Sequence, residues 1–391
     1  MTRREALEAA LEAAAADGVM TFRTFMELAL YHPEGGYYTR PEMRVGAGGD
    51  FHTSPTIHPA FGQCLARQLR QLWERLGRPD DLCLLEMGAG SGQLADQILE
   101  ALAGVRGGWK RVRYAILERS PALRERQQEL LSPHKEALTW VDSLEALSPA
   151  GQWTGIVFSN ELFDAFPVHR VIGLAQGFAE IGVMRGKNGR WRQVGIEPTT
   201  PRLAETLSRL GVTLQEGQQA EVNLDAQDWM NELGAWLGRG FLVTVDYGSE
   251  AERVYAPHRK KGTIRGFFKQ MASEDPLAHP GEQDLTSDVD FTSLIAAGEG
   301  AGLRTLGVVP QGVFLTHLGI REIEKQILKG VKTTLGADFA AFEIRKLYQS
   351  EAMGDRFLVL VQAKGVDAGP KDVIGLSGTP ARSGWKVIFG Q

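Results

Sequence analysis

The chain has 391 residues, more than a single compact core usually holds, so two domains or one large α/β domain with insertions are expected. Hydrophobic residues make up 43% and charged residues 23%, which excludes disordered and fibrous classes. A formal charge of −5 without a basic tail argues against nucleic-acid binding, two cysteines exclude a disulfide framework or Cys-based zinc site, and no apolar stretch reaches the ~18 residues of a membrane span.

Residues 1–80 read as helical, without a convincing strand. Three early glutamates, Glu5, Glu8 and Glu12, argue against a targeting peptide and lead to the expectation of a cytoplasmic chain beginning with a surface helix. Leu7, Leu11 and Ala14 recur at helical spacing, and Phe22, Phe25, Met26 and Ala29 make a second stripe. A glycine- and aromatic-rich loop runs from His32 to His58, and a helix over Phe61–Leu76 is stopped by Gly77 and Pro79. From Leu82 strands alternate with helices: Leu82–Glu86, Gln93–Leu102, Val112–Leu117, Pro121–Leu131, Leu138–Val141 and Gly155–Phe158. That rhythm predicts βαβ units and a parallel sheet. Between Val168 and about Leu224 it breaks, and Gly177–Val183 and Arg190–Ile196 flank a Gly186–Gly189 turn as a hairpin. A helix at Asp228–Leu237 precedes a buried strand, Phe241–Val245. Then come a loop-rich stretch from Tyr247 to about Pro310, helices at Leu318–Leu328 and Phe339–Leu347, and a last strand at Arg356–Gln362.

The first strand ends in Glu86-Met87-Gly88-Ala89-Gly90-Ser91-Gly92, where a parallel sheet presents its carboxyl edge to ligands. A dinucleotide turn wants G-x-G-x-x-G, but here Gln93 stands in the third glycine's place, which weakens an NAD-dependent oxidoreductase reading. The acid at the strand end suits a cationic ligand, and S-adenosylmethionine (SAM) carries a sulfonium and an ammonium. Glycines let the backbone pass close to it. The second strand ends in Glu118, placed to accept two hydrogen bonds from a ribose diol. At the third, Asp142 and Ser143 face an adenine edge, or else Asp142 caps a helix at Ser143–Leu147.

The segment Phe158-Ser159-Asn160-Glu161-Leu162-Phe163-Asp164-Ala165-Phe166-Pro167 resembles the motif after strand four in the MidA-like methyltransferases, a bacterial and mitochondrial family tied to respiratory complex I assembly. Further resemblances follow in order. They are His32-Pro33 with Gly35-Gly36-Tyr37-Tyr38, Gly49-Asp50-Phe51 with Thr53-Ser54-Pro55, and Val245-Asp246-Tyr247-Gly248. Later come Arg265-Gly266-Phe267, Pro280-Gly281, Asp284-Leu285-Thr286, Asp288-Val289-Asp290-Phe291 and Met353-Gly354-Asp355-Arg356-Phe357. The resemblance covers roughly residues 22–363. Several members read Gly-Pro-Gly-Arg-Gly at the glycine turn; this chain keeps the three glycines and lacks the arginine.

The resemblance implies a class I SAM-dependent methyltransferase, an α/β Rossmann-like sheet of seven strands with the last antiparallel. The expected organisation is an N-terminal helical lid over 1–80 and a core over 81–363. That core carries substrate-side insertions at about 168–224 and 247–310, and a peripheral tail covers 364–391. SAM would be held by Glu86, Gly88, Gly90, Gly92, Glu118, Asp142, Ser143 and Asn160, leaving as S-adenosyl-L-homocysteine. Tyr37, Tyr38, Asp50, Phe51, Thr53 and Ser54 are candidate lid residues. The mitochondrial branch implies a protein acceptor, an arginine in a respiratory complex subunit.

A guanidinium needs carboxylates that grip it through paired hydrogen bonds and take its proton. Glu161 and Asp164 are the catalytic candidates, with helix-N-terminal acids as their alternative role. Asp246, Tyr247, Arg265, Asp284 and Asp288 are candidate substrate contacts; aspartates in such loops also form Asx turns. His169 is a structural histidine, or a base for a hydroxyl acceptor. The eight histidines show no metal-binding spacing. Methylation of a small molecule and a SAM-binding assembly factor without turnover are the competing readings.

Overall fold

The computed structural model describes residues 1–40, 53–103, 112–268 and 271–377. Its centre is a seven-stranded sheet: β1 (Cys83–Met87), β2 (Arg113–Leu117), β3 (Leu138–Val141), β4 (Trp153–Asn160), β5 (Leu237–Ser249), β6 (Arg304–Pro310) and β7 (Phe357–Lys364). Their order is β6-β7-β5-β4-β1-β2-β3. Strands β1 to β5 pair in parallel. β7 runs antiparallel to both neighbours, β5 and β6. Val289–Asp290 adds a two-residue pairing to the end of β5.

Both faces of this sheet are covered, which is why its strands are continuous apolar runs rather than alternating ones. Leu84, Ile116, Ile156 and Phe241 point to one side, where Phe61, Leu65, Leu69 and Leu72 of the helix Ala60–Arg75 meet them. The intervening residues Leu85, Ala115, Val157 and Leu242 point to the other, against Met230, Leu233 and Trp236 of the helix Leu224–Trp236. The Trp153 and Trp236 rings stack there at 4.6 Å. No helix among the described residues is long and apolar enough to cross a membrane.

Three expectations change. The first 80 residues do contain a strand, Met20–Thr21, which pairs with Gly182 and Val183. The stretch expected to be loop-rich from Tyr247 holds the helix Phe291–Gly300 and β6 itself. Small residues across Phe291–Gly300 hid the helix, and the short strands beside it carry no alternation. After β7 the chain is not merely peripheral: Val373 and Leu376 are buried in the core.

The break after β4 is a second sheet of five strands: Met20–Thr21, His169–Gly173, Phe178–Arg185, Trp191–Ile196 and Gln219–Val222. The expected hairpin is its Phe178–Arg185/Trp191–Ile196 pair. At its heart Arg170 is buried. Its guanidinium donates to Glu221 Oε1 (3.0 Å), Gln193 Oε1 (3.1 Å), Gln219 Oε1 (2.7 Å) and the Lys261 carbonyl (3.1 Å). His169 beside it bonds Glu180 Oε1 at 2.7 Å.

Removing one partner from a buried ion pair leaves an uncompensated charge, at a cost of about 3–5 kcal/mol. Arg170→Met is therefore expected to lower the thermal midpoint markedly. A melt of the single variant superimposing on that of the native chain would refute this.

Candidate active site

The chain leaves β1 through Gly88, Gly90 and Gly92, whose φ values of +66°, +54° and +86° lie in the left-handed region that favours glycine. The Gly88 N–H donates to the Leu117 carbonyl at 3.0 Å, and the helix Gln93–Ala103 follows. A Cβ on Gly88 would meet Leu162 Cδ1 at 2.7 Å, whereas one on Gly90 would meet nothing within 4 Å. Gly88 and Gly90 line a cavity of ≈1730 Å³ at the carboxyl edge of the sheet. Gly92 turns toward Gln127 and Leu131 instead.

Glu86 lines the same cavity and accepts the Tyr114 hydroxyl at 2.6 Å. Burial pushes its carboxyl up to about 7; the Tyr114 bond pulls it down, and the Glu118 charge adds to the rise. Glu118, at the end of β2, accepts from the Ser120 N–H at 2.9 Å and from Gln127 Nε2 at 3.0 Å. The same Gln127 nitrogen reaches the Gly90 carbonyl at 2.9 Å, tying the glycine turn to Glu118. Burial raises the Glu118 carboxyl as well. Asp142 lines the cavity but pairs with Arg124 and is largely exposed. Ser143 does not line it; its Oγ accepts the Ala146 N–H in a turn that replaces the expected helix.

After β4 the chain reverses sharply. Glu161 has φ +53°, rare for a residue with a side chain, and its N–H donates to Val245 of β5 at 2.9 Å. Its Oε1 accepts from Asn160 Nδ2 (2.9 Å) and the Ser54 N–H (3.1 Å). Asp164 follows on a short 3₁₀ turn, Phe163–Ala165. Asp246, expected to touch substrate, lies behind the cavity wall instead. Its Oδ2 accepts the Leu162 and Phe163 N–H groups at 3.1 and 2.9 Å, and its Oδ1 accepts the Tyr247 N–H at 2.9 Å. Three carbonyls of this turn are also claimed: Phe163 by Asn223, Asp164 by the Ser287 N–H, and Ala165 by the Tyr31 hydroxyl.

Glu161 and Asp164 both line the cavity. Burial raises Glu161 to about 8, helped by the charges of Asp164 and Asp284 against the Ser54 and Asn160 hydrogen bonds. Burial also raises Asp164, with Tyr247 and Arg265 pulling the other way. Asp164 Oδ1 is buried without a donor among the described residues.

The facing wall comes from the N-terminal helices and the second insertion. Tyr38 donates to Asp284 Oδ1 at 2.8 Å and stacks on Tyr31 at 5.4 Å, while Arg119 lies 4.0 Å over Tyr31. Tyr37, expected on the lid, is fully buried in the N-terminal core beside Phe25 and Leu30, so Tyr38 is the cavity aromatic of the pair. Arg265 lies 4.9 Å over the Tyr247 ring and pairs with Asp288, which Arg259 also holds at 2.6 Å. Asp288 is thus already neutralised. Thr53 lines the cavity; Ser54 is buried beneath it, and Asp50 and Phe51 lie outside the described residues. His169 is in the second sheet, away from the cavity lining. Tyr31, Tyr114 and Gln127 were not singled out from sequence, because nothing in a single polar or aromatic position inside a helix or strand marks it as a site residue.

The bare Gly90 backbone and the two acids at the ends of β1 and β2 fit SAM better than a pyrophosphate. Among the described residues no group of His, Cys, Asp and Glu is arranged to hold a metal ion.

The family model described as "Putative S-adenosyl-L-methionine-dependent methyltransferase" matches residues 64–309. A Burkholderia thailandensis protein solved with S-adenosyl-homocysteine bound is 31% identical, superposes with a TM-score of 0.86, and covers 97% of this chain and 96% of its own. Zebrafish protein arginine methyltransferase NDUFAF7, mitochondrial, is 29% identical over 365 residues, 88% of this chain and 83% of the relative. The human protein of that name is 29% identical over 329 residues, covering 78% of this chain and 70% of its own. The class I fold and SAM as cofactor follow from these matches, and the chain belongs to the MidA-like family of SAM-dependent methyltransferases.

Proposed function

We propose that this enzyme methylates an arginine guanidinium of a protein acceptor, with Glu161 and Asp164 as the groups that hold and deprotonate it. The observation that carries the reading is a cluster of acids in which one buried carboxylate oxygen has no donor among the described residues. Glu161, Asp164 and Asp284 all line one cavity, Asp164 Oδ1 is buried without a donor among the described residues, and Arg265 is shared with Asp288. A guanidinium supplies up to five N–H donors and one positive charge to such a cluster. The cavity, ≈1730 Å³, exceeds the roughly 300–1,000 Å³ usual for small-molecule sites, leaving room for a polypeptide beside the cofactor. Relatives named as protein arginine methyltransferases support the acceptor class. The family resemblance points to a respiratory-complex subunit as the protein.

SAM, when bound, supplies an activated methyl on a sulfonium that departs as a neutral thioether. Gly88 and Gly90 leave the backbone bare for its methionine portion, Glu86 faces its cationic end, and Glu118 accepts from its ribose. Glu161 and Asp164 align the guanidinium nitrogen and localise its charge on the far nitrogens. As the nitrogen–carbon bond forms, the substituted nitrogen loses a proton to a carboxylate, for which the raised Glu161 is suited. Tyr38 and Tyr31 wall the site from water.

Glu118→Ala removes charge-assisted hydrogen bonds worth about 1.5–3 kcal/mol, so the SAM Kd is expected to rise about 10- to 100-fold by calorimetry. An unchanged Kd would sink the ribose assignment. For catalysis, the measurement is label transfer from methyl-tritiated SAM into a lysate of the source organism, with acid hydrolysis of the product. Methylarginine counts are expected, reduced by about 10²-fold or more in Glu161→Gln. Counts confined to small molecules would overturn the protein acceptor.

The pH dependence has a defined sign. Glu161 is raised to about 8 in the free enzyme, so its carboxylate is populated only above that value and lost as pH falls through it. kcat/KM should climb about tenfold per pH unit below pH 8 and level off above. The corresponding limb in kcat should lie at lower pH, because a bound guanidinium stabilises the carboxylate.

A further inference from the structure

Glu161 receives two donors, and both converge on Oε1. Oε2 has none among the described residues. One donor, Asn160, is its chain neighbour. The other, the Ser54 N–H, comes from a short helix, Ser54–Ile57, that carries no charged side chain and belongs to neither sheet. What fixes that helix therefore fixes half of the Glu161 setting.

Two buried amides fix it. Gln97 Nε2 donates to the Pro55 carbonyl at 2.8 Å. Gln97 belongs to the helix that starts at the glycine turn, and it is clasped by the helix Ala60–Arg75, where a Cβ on Gly62 would meet Gln97 Cβ at 2.4 Å. On the other side the Ser54 hydroxyl donates to Gln311 Oε1 at 3.3 Å. Gln311, just after β6 and fully buried, donates through Nε2 to the Leu347 carbonyl at 2.9 Å. That carbonyl lies in the last turn of the helix Thr334–Tyr348, where intrahelical partners run out. Both ends of the Gln311 amide are used.

We propose that Gln311 and Gln97 are positioning residues for Glu161: by pinning the Ser54–Ile57 helix they keep the Ser54 N–H on Oε1 and leave Oε2 for the acceptor. The inference rests on the catalytic reading of Glu161. The charged groups facing Glu161 are Asp164 of its own turn, Asp246 of β5 and Asp284 of the strand Asp284–Thr286, and all three are acids. Every one of them opposes its ionisation, so the Ser54 and Asn160 donors are what favour the carboxylate. Loosening the Ser54 helix must move the Glu161 titration to higher pH.

The test is a carboxyl ¹³C NMR titration of the full chain with labelled glutamate, Glu161 being assigned by its loss in Glu161→Gln. Ser54→Ala keeps the N–H and deletes the hydroxyl that ties the helix to Gln311. Gln311→Met deletes both amide bonds at similar volume. Each is expected to shift the Glu161 titration upward by about one unit, and to lower kcat/KM at neutral pH about tenfold with the SAM Kd within about twofold of native. Should Gln311→Met melt early, Gln97→Leu cuts the other tether and must give the same shift. An unmoved titration in folded variants, or a uniform rate loss at all pH values, overturns the inference alone. Full methyl transfer by Glu161→Gln overturns the catalytic reading and the positioning role with it.

Discussion

A carboxylate withdrawn from water has three ways to persist: it takes hydrogen bonds, takes a cation, or takes a proton. The carboxyl edge of this sheet gathers Glu86, Glu161, Asp164 and Asp246 within one turn of β1, β4 and β5, and it uses more than one solution. Asp246 is saturated by three backbone N–H groups and acts as the clamp that shapes the turn after β4. Glu86 leans on a tyrosine hydroxyl. Glu161 has half its hydrogen-bonding capacity filled, and Asp164 keeps a buried oxygen with no donor among the described residues. That gradient from satisfied to unsatisfied separates Asp246, which shapes the turn, from Glu161 and Asp164, whose oxygens are not all taken up.

Strand order makes the gathering unavoidable. Because β4 and β5 are hydrogen-bonded neighbours in parallel, their ends arrive side by side, and the Glu161 N–H finds Val245 as its acceptor. The left-handed backbone at Glu161 follows: the chain must leave β4 toward the cavity at once, and Asp246 holds it there. Strain at a non-glycine residue persists only where surroundings over-determine it, and this one is fixed by hydrogen bonds on both sides.

The sheet was legible where periodicity was strong. Continuous apolar runs at Leu82–Glu86, Val112–Leu117 and Gly155–Phe158 gave the strands, and the glycine spacing and strand-end acid after β1 weighed against a dinucleotide. Legibility failed where role depends on direction. Tyr37 and Tyr38 are adjacent and identical in chemistry, and only the 3₁₀ turn that carries them decides that the first enters the core and the second the cavity. Asp246 read as one of a group of acids for gripping a substrate; its side chain turns back under the β4 turn. Asp288 carries a charge that two arginines from distant loop positions cancel, a pairing no local pattern encodes. Gln127 and Gln311 were invisible for the same reason: an amide becomes a bridge only when the fold brings it two partners.

The strand order has one more consequence, for synthesis. β7 is the last strand in the chain, yet it lies between β5 and β6 rather than at an edge. A ribosome delivers β5 and β6 first, so β6 has no sheet neighbour and β5 exposes a bare edge until residues 357–364 emerge. Between the synthesis of β6 and that of β7 the nascent chain therefore carries one unpaired apolar strand and one bare apolar edge. That interval is when a holding chaperone matters most, and loss of residues 357–364 would strip the sheet of its keystone rather than trim its border.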